Sequence, residues 1–153
     1  MNSELAKDFA QGSIYFVDPL TPLVTCPNCK HAFVAHYSAK IEKFTCEKCG
    51  NECDPDFVQR GKRPVLIIQN PAFEFFNTIS IIPITSQEKA KEKIGAVHIA
   101  KGGPSGLTKD SWALVWQIRT INKNLFFKED YLGKVSAKKL KEIRKTLKLH
   151  LLL

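Results

Sequence analysis

The sequence predicts a small, mainly β protein, an antiparallel barrel or curled sheet closed by one C-terminal helix and interrupted by a cysteine-rich segment. Three observations predict it. Short β-branched runs recur with turn residues between them. The last twenty residues switch to helical apolar spacing. Four of the five cysteines fall in two CxxC pairs between the first two strand-like runs.

Taken in order, Ser13 to Asp18 alternates apolar and polar residues and reads as a strand, closed by Pro19 and Pro22. After the cysteines, Pro64 to Gln69 and Thr78 to Ile84 are β-branched runs divided by Asn70-Pro71, a turn signal, and read as two buried strands. Ala96 to Ile99 is a further short strand, and Lys101 to Gly106 is a loop by its glycines and proline. Trp112 to Ile118 alternates as one strand, with Trp112, Leu114, Trp116 and Ile118 on one side and Ala113, Val115 and Gln117 on the other. Ser136 is a good N-cap, and Leu140, Ile143, Leu147 and Leu151 recur every three or four residues, the pattern of an amphipathic helix. Trp112, Trp116, Phe73, Phe75 and Phe76 are expected in core or dimer packing before base stacking. No internal repeat or low-complexity tract is visible.

A chain of 153 residues, 44% apolar and 25% charged, can bury a core without disulfides. Met1 to Gly12 lacks the charged-then-apolar layout of a signal peptide, so a cytoplasmic location is expected. The most apolar window, Val65 to Ile84, contains Gln69, Asn70, Pro71, Glu74, Asn77 and Pro83, too polar for a membrane span. The net charge of +8 points to an anionic partner, and its placement is uneven. Pro22 to Arg60 carries five basic and five acidic residues, and four thiolates around one divalent cation would make it negative. The positive field therefore belongs to the rest of the chain, above all to Lys134–Leu153, with seven basic residues against one acidic, although such a run also suits a plain solvated helix face.

Each CxxC pair puts two sulfurs on one tight turn, and the sixteen residues between Cys29 and Cys46 suffice for a hairpin that brings the pairs together. Cys26, Cys29, Cys46 and Cys49 are thus expected to hold one Zn2+ tetrahedrally, with no ligand position left open for catalysis. A thioredoxin-like role would need one CxxC at the start of a helix in a βαβ unit, which the pattern does not supply. Cys53, His31 and His36 lie close enough to substitute but read as a free thiol and two surface imidazoles.

Outside the cysteine segment the chain runs GSIYFVD, GKRPVLIIQN, TISIIPITSQ, GLTKDSWALVWQIRTI and LGKVSAKKLKEIRKTLKLHL. In that order these stretches resemble the MazF/PemK family of toxins, over about 110 residues by this sequence's own count. The resemblance implies an SH3-like, CcdB/PemK-like small antiparallel β-barrel in which residues 1–21 supply the first strand, 22–60 an inserted zinc ribbon, and 61–153 the remaining barrel and C-terminal helix. It also implies a homodimer that cleaves single-stranded RNA without a metal, through attack of a ribose 2′-oxygen on the adjacent phosphorus. Inhibition would come from an acidic antitoxin protein, and any DNA binding would run through the complex with it. The family's catalytic arginine falls on Arg63 and its catalytic threonine on Thr85, with Ser86, Gln87, Gln117 and Arg119 as secondary RNA contacts.

An always-charged guanidinium offers paired donors to the charge that phosphoryl transfer concentrates on non-bridging oxygens, and Thr85 can position by hydrogen bonding but cannot act as a base. His98 reads as a satisfied or surface histidine, and Asp18 as a family aspartate or a turn residue. The family's GSEQ element between the first two strands is replaced here by the cysteine segment. That loss and the basic charge favour one alternative, a non-catalytic nucleic-acid or protein adaptor built on the toxin barrel; a second, a CcdB-like gyrase inhibitor, follows from the CcdB branch of the same fold.

Overall fold

Runs such as Val65–Ile68 and Ile79–Ile84 put large apolar side chains on both faces of a strand, which is stable only where both faces are covered. The protein, described by a computed structural model over residues 4–18, 23–34, 44–53 and 62–153, meets that demand. In chain order its strands are β1 (Ser13–Val17), β2 (Leu23–Thr25), β3 (Ala32–Val34), β4 (Phe44–Thr45), β5 (Glu52–Cys53), β6 (Arg63–Ile67), β7 (Thr78–Thr85), β8 (Ala96–Ile99), β9 (Ser111–Leu114), β10 (Arg119–Asn122) and β11 (Tyr131–Lys134). The helix α1 spans Ala137–Leu151. Two compact units result, Met1–Pro19 with Lys62–Leu153, and Leu20–Gly61. The limits expected for the cysteine segment, at 21/22 and 60/61, and His36 lie outside the described residues.

In the first unit the sheet order is β11-β1-β6-β7-β9-β8, with β10 also pairing with β7, and every pair is antiparallel. One face carries Ile14, Leu66, Ile82, Ile84, Ala113 and Val115, over which Ile143 of α1 packs. The other carries Tyr15, Val17, Val65, Ile67, Ile79 and Ile81 beneath Phe126. Even and odd positions of β6 and β7 thus serve different clusters, the period-two rule of a pleated strand.

The helix starts where Ser136 Oγ accepts a hydrogen bond from Lys139 N at 3.2 Å. Ile143 is fully buried, and Leu140 and Leu147 pack partly against the same cluster. Leu151, expected on that face, is exposed, because the apolar cluster is met only as far as Leu147. Ile143→Ala is expected to cost about 2–5 kcal/mol of unfolding free energy through the cavity it leaves, measurable by urea denaturation.

The strand expected over Trp112–Ile118 is broken. Ala113 and Val115 belong to the cluster under α1, and Leu114 between them is buried as well, so only Ser111–Leu114 runs on as strand. The chain turns a 3-10 corner at Val115–Gln117, with Ile118 N donating to Val115 O at 3.2 Å, and restarts as β10. That corner lets β9 and β10 pair with different stretches of β7. Phe73, Phe75 and Phe76 also depart from core packing: they are 50%, 73% and 51% exposed. They contact one another instead, with Phe75 and Phe76 ring centroids 4.6 Å apart.

Candidate functional site

The second unit is built from two hairpins, β2–β3 and β4–β5, each carrying one CxxC turn. The turns are copies of each other. Cys26 N donates to His31 O and Lys30 N to Cys26 O, at 2.8 and 2.9 Å; Cys46 N donates to Asn51 O and Gly50 N to Cys46 O, at the same two distances. Lys30 and Gly50 hold the equivalent left-handed position, with φ of 62° and 72°. TCPNCKH and TCEKCGN are therefore a structural repeat, which the sequence conceals because only Thr and Cys recur.

The four Sγ atoms lie within 4.8 Å of one another, so the cluster could hold a metal ion. Cys26 Sγ stands 3.7 Å from Cys49 Sγ, and Cys29 Sγ 3.6 Å from Cys46 Sγ, too far for disulfides. Tetrahedral ligands 2.3 Å from one ion would stand ~3.8 Å apart, so the spacing fits. The backbone N–H of Cys29 aims at Cys26 and lowers its thiol to about 6, ahead of burial, which opposes the shift. Although the N–H of His31 favours the Cys29 thiolate, burial and the neighbouring thiols of Cys46 and Cys49 push that group up to about 11. Like charges this close oppose one another's ionisation, and a divalent cation among the sulfurs would offset that repulsion. Cys53 lies outside the set, buried, its Sγ donating to Asn51 O at 3.6 Å.

In the first unit, β1 and β6 pair Val17 with Arg63. The β6–β7 ladder ends at Val65↔Pro83, and Arg63 and Thr85 each lie two residues farther, at the same end of neighbouring strands about 4.8 Å apart. Strand alternation puts both on the face of Val65 and Ile81, opposite the face that packs against α1. Arg63 is half-buried: burial pushes its guanidinium below the usual range, and the Asp18 carboxylate pushes it back up. Thr85 is only 6% exposed, and its Oγ1 accepts from Gln87 N at 3.3 Å, leaving the hydroxyl proton free to be donated. Arg119 pairs with Ile81 from the other side of β7, placing it on the same face. Its Nη2 donates to Gln117 Oε1 at 3.4 Å. Ser86 and Gln87 are exposed just past the end of β7.

Residues 43–151 match the family of PemK-like, MazF-like toxins of type II toxin-antitoxin systems. The chain belongs to that family. No curated protein matches it. MazF of Deinococcus radiodurans shares the fold at a TM-score of 0.59 and 17% identity, over 94% of this chain and 96% of that one. An endoribonuclease of a mycobacterial species aligns at a TM-score of 0.54 and 18% identity, over 100% of this chain and 95% of its own. A mycobacterial endoribonuclease in complex with its cognate antitoxin aligns at a TM-score of 0.55 and 18% identity, over 94% of each chain. At these identities the likeness is one of fold, and it bears out the expected mainly antiparallel sheet with a C-terminal helix.

The family match includes Arg63, Thr85, Gln117 and Arg119 and the second CxxC pair, but not β1 or the first pair. His98 is a surface histidine, its Nε2 3.7 Å from Asp110 Oδ1. Among the described residues no helix is long and apolar enough to cross a membrane. Two relations escaped the sequence: the charge coupling of Asp18 to Arg63, and the alignment of Trp112 and His98 with Thr85 across three strands. The signal for the second, the parity of positions around β7 and β9, was present but needed the pairing partners.

Proposed function

We propose that this toxin is an endoribonuclease that cuts single-stranded RNA without a catalytic metal, with Arg63 and Thr85 at the reacting phosphate. The observation that carries the proposal is their position at one end of adjacent strands, on the face that also holds Arg119, which donates to Gln117. The ribose 2′-hydroxyl gives up its proton to water as its oxygen bonds to the adjacent phosphorus, the bond from phosphorus to the 5′-oxygen breaks, and that oxygen takes up a proton from water. The products are a 2′,3′-cyclic phosphate and a 5′-hydroxyl. Arg63 donates to the non-bridging oxygens as their charge grows, and the Asp18 carboxylate offsets part of what burial costs the guanidinium. Thr85 positions a phosphate oxygen or the attacking hydroxyl. Gln117, Arg119, Ser86 and Gln87 contact the strand on either side.

The ion of the cysteine cluster is taken to be zinc, which four thiolates in a tetrahedron suit. Four protein ligands leave no open position, so its role is structural: it ties the two CxxC hairpins together. The working form is a cytoplasmic homodimer, and an acidic antitoxin segment would compete with RNA for the basic first unit. Incubating a diverse single-stranded RNA pool with the protein in EDTA tests the activity. Fragments ending in cyclic phosphate are expected. Binding without turnover would select the adaptor instead, and inhibition of DNA supercoiling the gyrase-poison reading.

A further inference from the structure

We infer that Trp112 and His98 form a stacking subsite for the base of a nucleotide next to the cleaved phosphate; the inference rests on the endoribonuclease reading of Arg63 and Thr85. The sheet register places the residues in one row: Thr85 of β7 is paired with Trp112 of β9, which is paired with His98 of β8. Directly paired residues project from the same face of a sheet. Their neighbours Ile84, Ala113 and Val97 all belong to the cluster under α1, so Thr85, Trp112 and His98 point the other way, toward the face of Arg63. Trp112 is half-buried and His98 exposed, so the row stays open to a ligand at its outer end.

The pair is held in place before any ligand arrives. The imidazole and indole centroids are 5.6 Å apart at an interplanar angle of 53°. The imidazole is also met by Asp110, whose Oδ1 is 3.7 Å from Nε2 and itself accepts from Lys101 N at 2.9 Å. At about 4.8 Å per strand, Trp112 stands one strand from Thr85, and His98 roughly 10 Å from it. That is the reach of a base whose phosphate sits at Thr85. An aromatic face takes any base by stacking, and the polar edge of His98 adds hydrogen-bonding preference. A nucleobase is favoured over an acidic peptide because the row presents rings and no lysine or arginine.

The test is a coupling measurement on a chain that binds without cutting. In an Arg63→Ala background, the affinity of a single-stranded RNA carrying one abasic nucleotide at successive positions is compared with and without Trp112→Ala. One abasic position should weaken binding by about 5- to 150-fold with Trp112 present and have little effect once it is gone. Trp112→Phe should restore the effect, and His98→Ala, on the exposed edge, should reduce it. If every abasic position costs the same with and without Trp112, or if Trp112→Ala and His98→Ala weaken only antitoxin binding, the subsite is overturned. Coupling without any cleavage by the wild-type chain would keep the subsite and remove the nuclease; cleavage without coupling would do the reverse. A protein that neither binds nor cuts RNA refutes both.

Discussion

Replacing Arg63 by alanine is expected to slow RNA cleavage by about 10²- to 10³-fold, the loss typical of removing one preorganised donor to a developing anion. The same variant should retain RNA binding, since Gln117, Arg119 and the basic helix remain. Arg63→Lys should recover only part of the rate. A lysine supplies one point charge where the guanidinium offers a fork of parallel donors. Thermal unfolding measured alongside separates the two ways activity can fall: the residue is half-buried at the end of β6, outside both apolar clusters, so folding should survive its truncation. A variant that folds, binds and cuts at the wild-type rate would show that the reacting phosphate lies elsewhere.

Removing the metal should have an effect as large, on a different part of the molecule. About one zinc per chain is expected after purification without chelator. Structural zinc in small modules contributes roughly 10–16 kcal/mol of apparent binding free energy at neutral pH, which for a segment of this size is its folding free energy. Stripping the ion with a strong chelator, or making Cys26→Ser, should abolish amide-exchange protection in the two CxxC hairpins. The first unit, with two apolar clusters of its own, should keep its protection. Retention should weaken as the pH falls, because protons compete for four sulfurs that must all be thiolates. Less than about half an equivalent of zinc, or hairpins that stay protected without it, would contradict the metal assignment.

The difference between what the sequence revealed and what it hid follows from range. The strands around Val65 and Ile81 and the helix capped by Ser136 depend on local runs and local hydrogen bonds, so they are legible residue by residue. The two CxxC pairs are legible for the same reason. The corner at Val115–Gln117 was not, because it depends on β9 and β10 pairing with different stretches of β7, and apparent alternation of tryptophans masked it. Phe73, Phe75 and Phe76 are absent from both cores because hydrophobicity alone does not say whether a loop folds back over its own core or stays exposed, where a second copy could cover it. The row from Thr85 through Trp112 to His98 depends on two registers, each set by packing among residues far apart in sequence.

Thr85 and Arg63 came from the resemblance to the toxin family and not from any local pattern. What the sheet adds is that both lie two residues beyond the last β6–β7 pair, at the same end of the two strands. The measurement that tests this centre most directly is end-group analysis of a cleaved oligoribonucleotide in EDTA, paired with the same oligonucleotide carrying a single 2′-deoxyribose on the 5′ side of the mapped site. Cleavage giving a 2′,3′-cyclic phosphate and a 5′-hydroxyl, and blocked by the deoxy substitution, is predicted. Cleavage of the deoxy substrate, 5′-phosphate ends, or activity abolished by EDTA would contradict it.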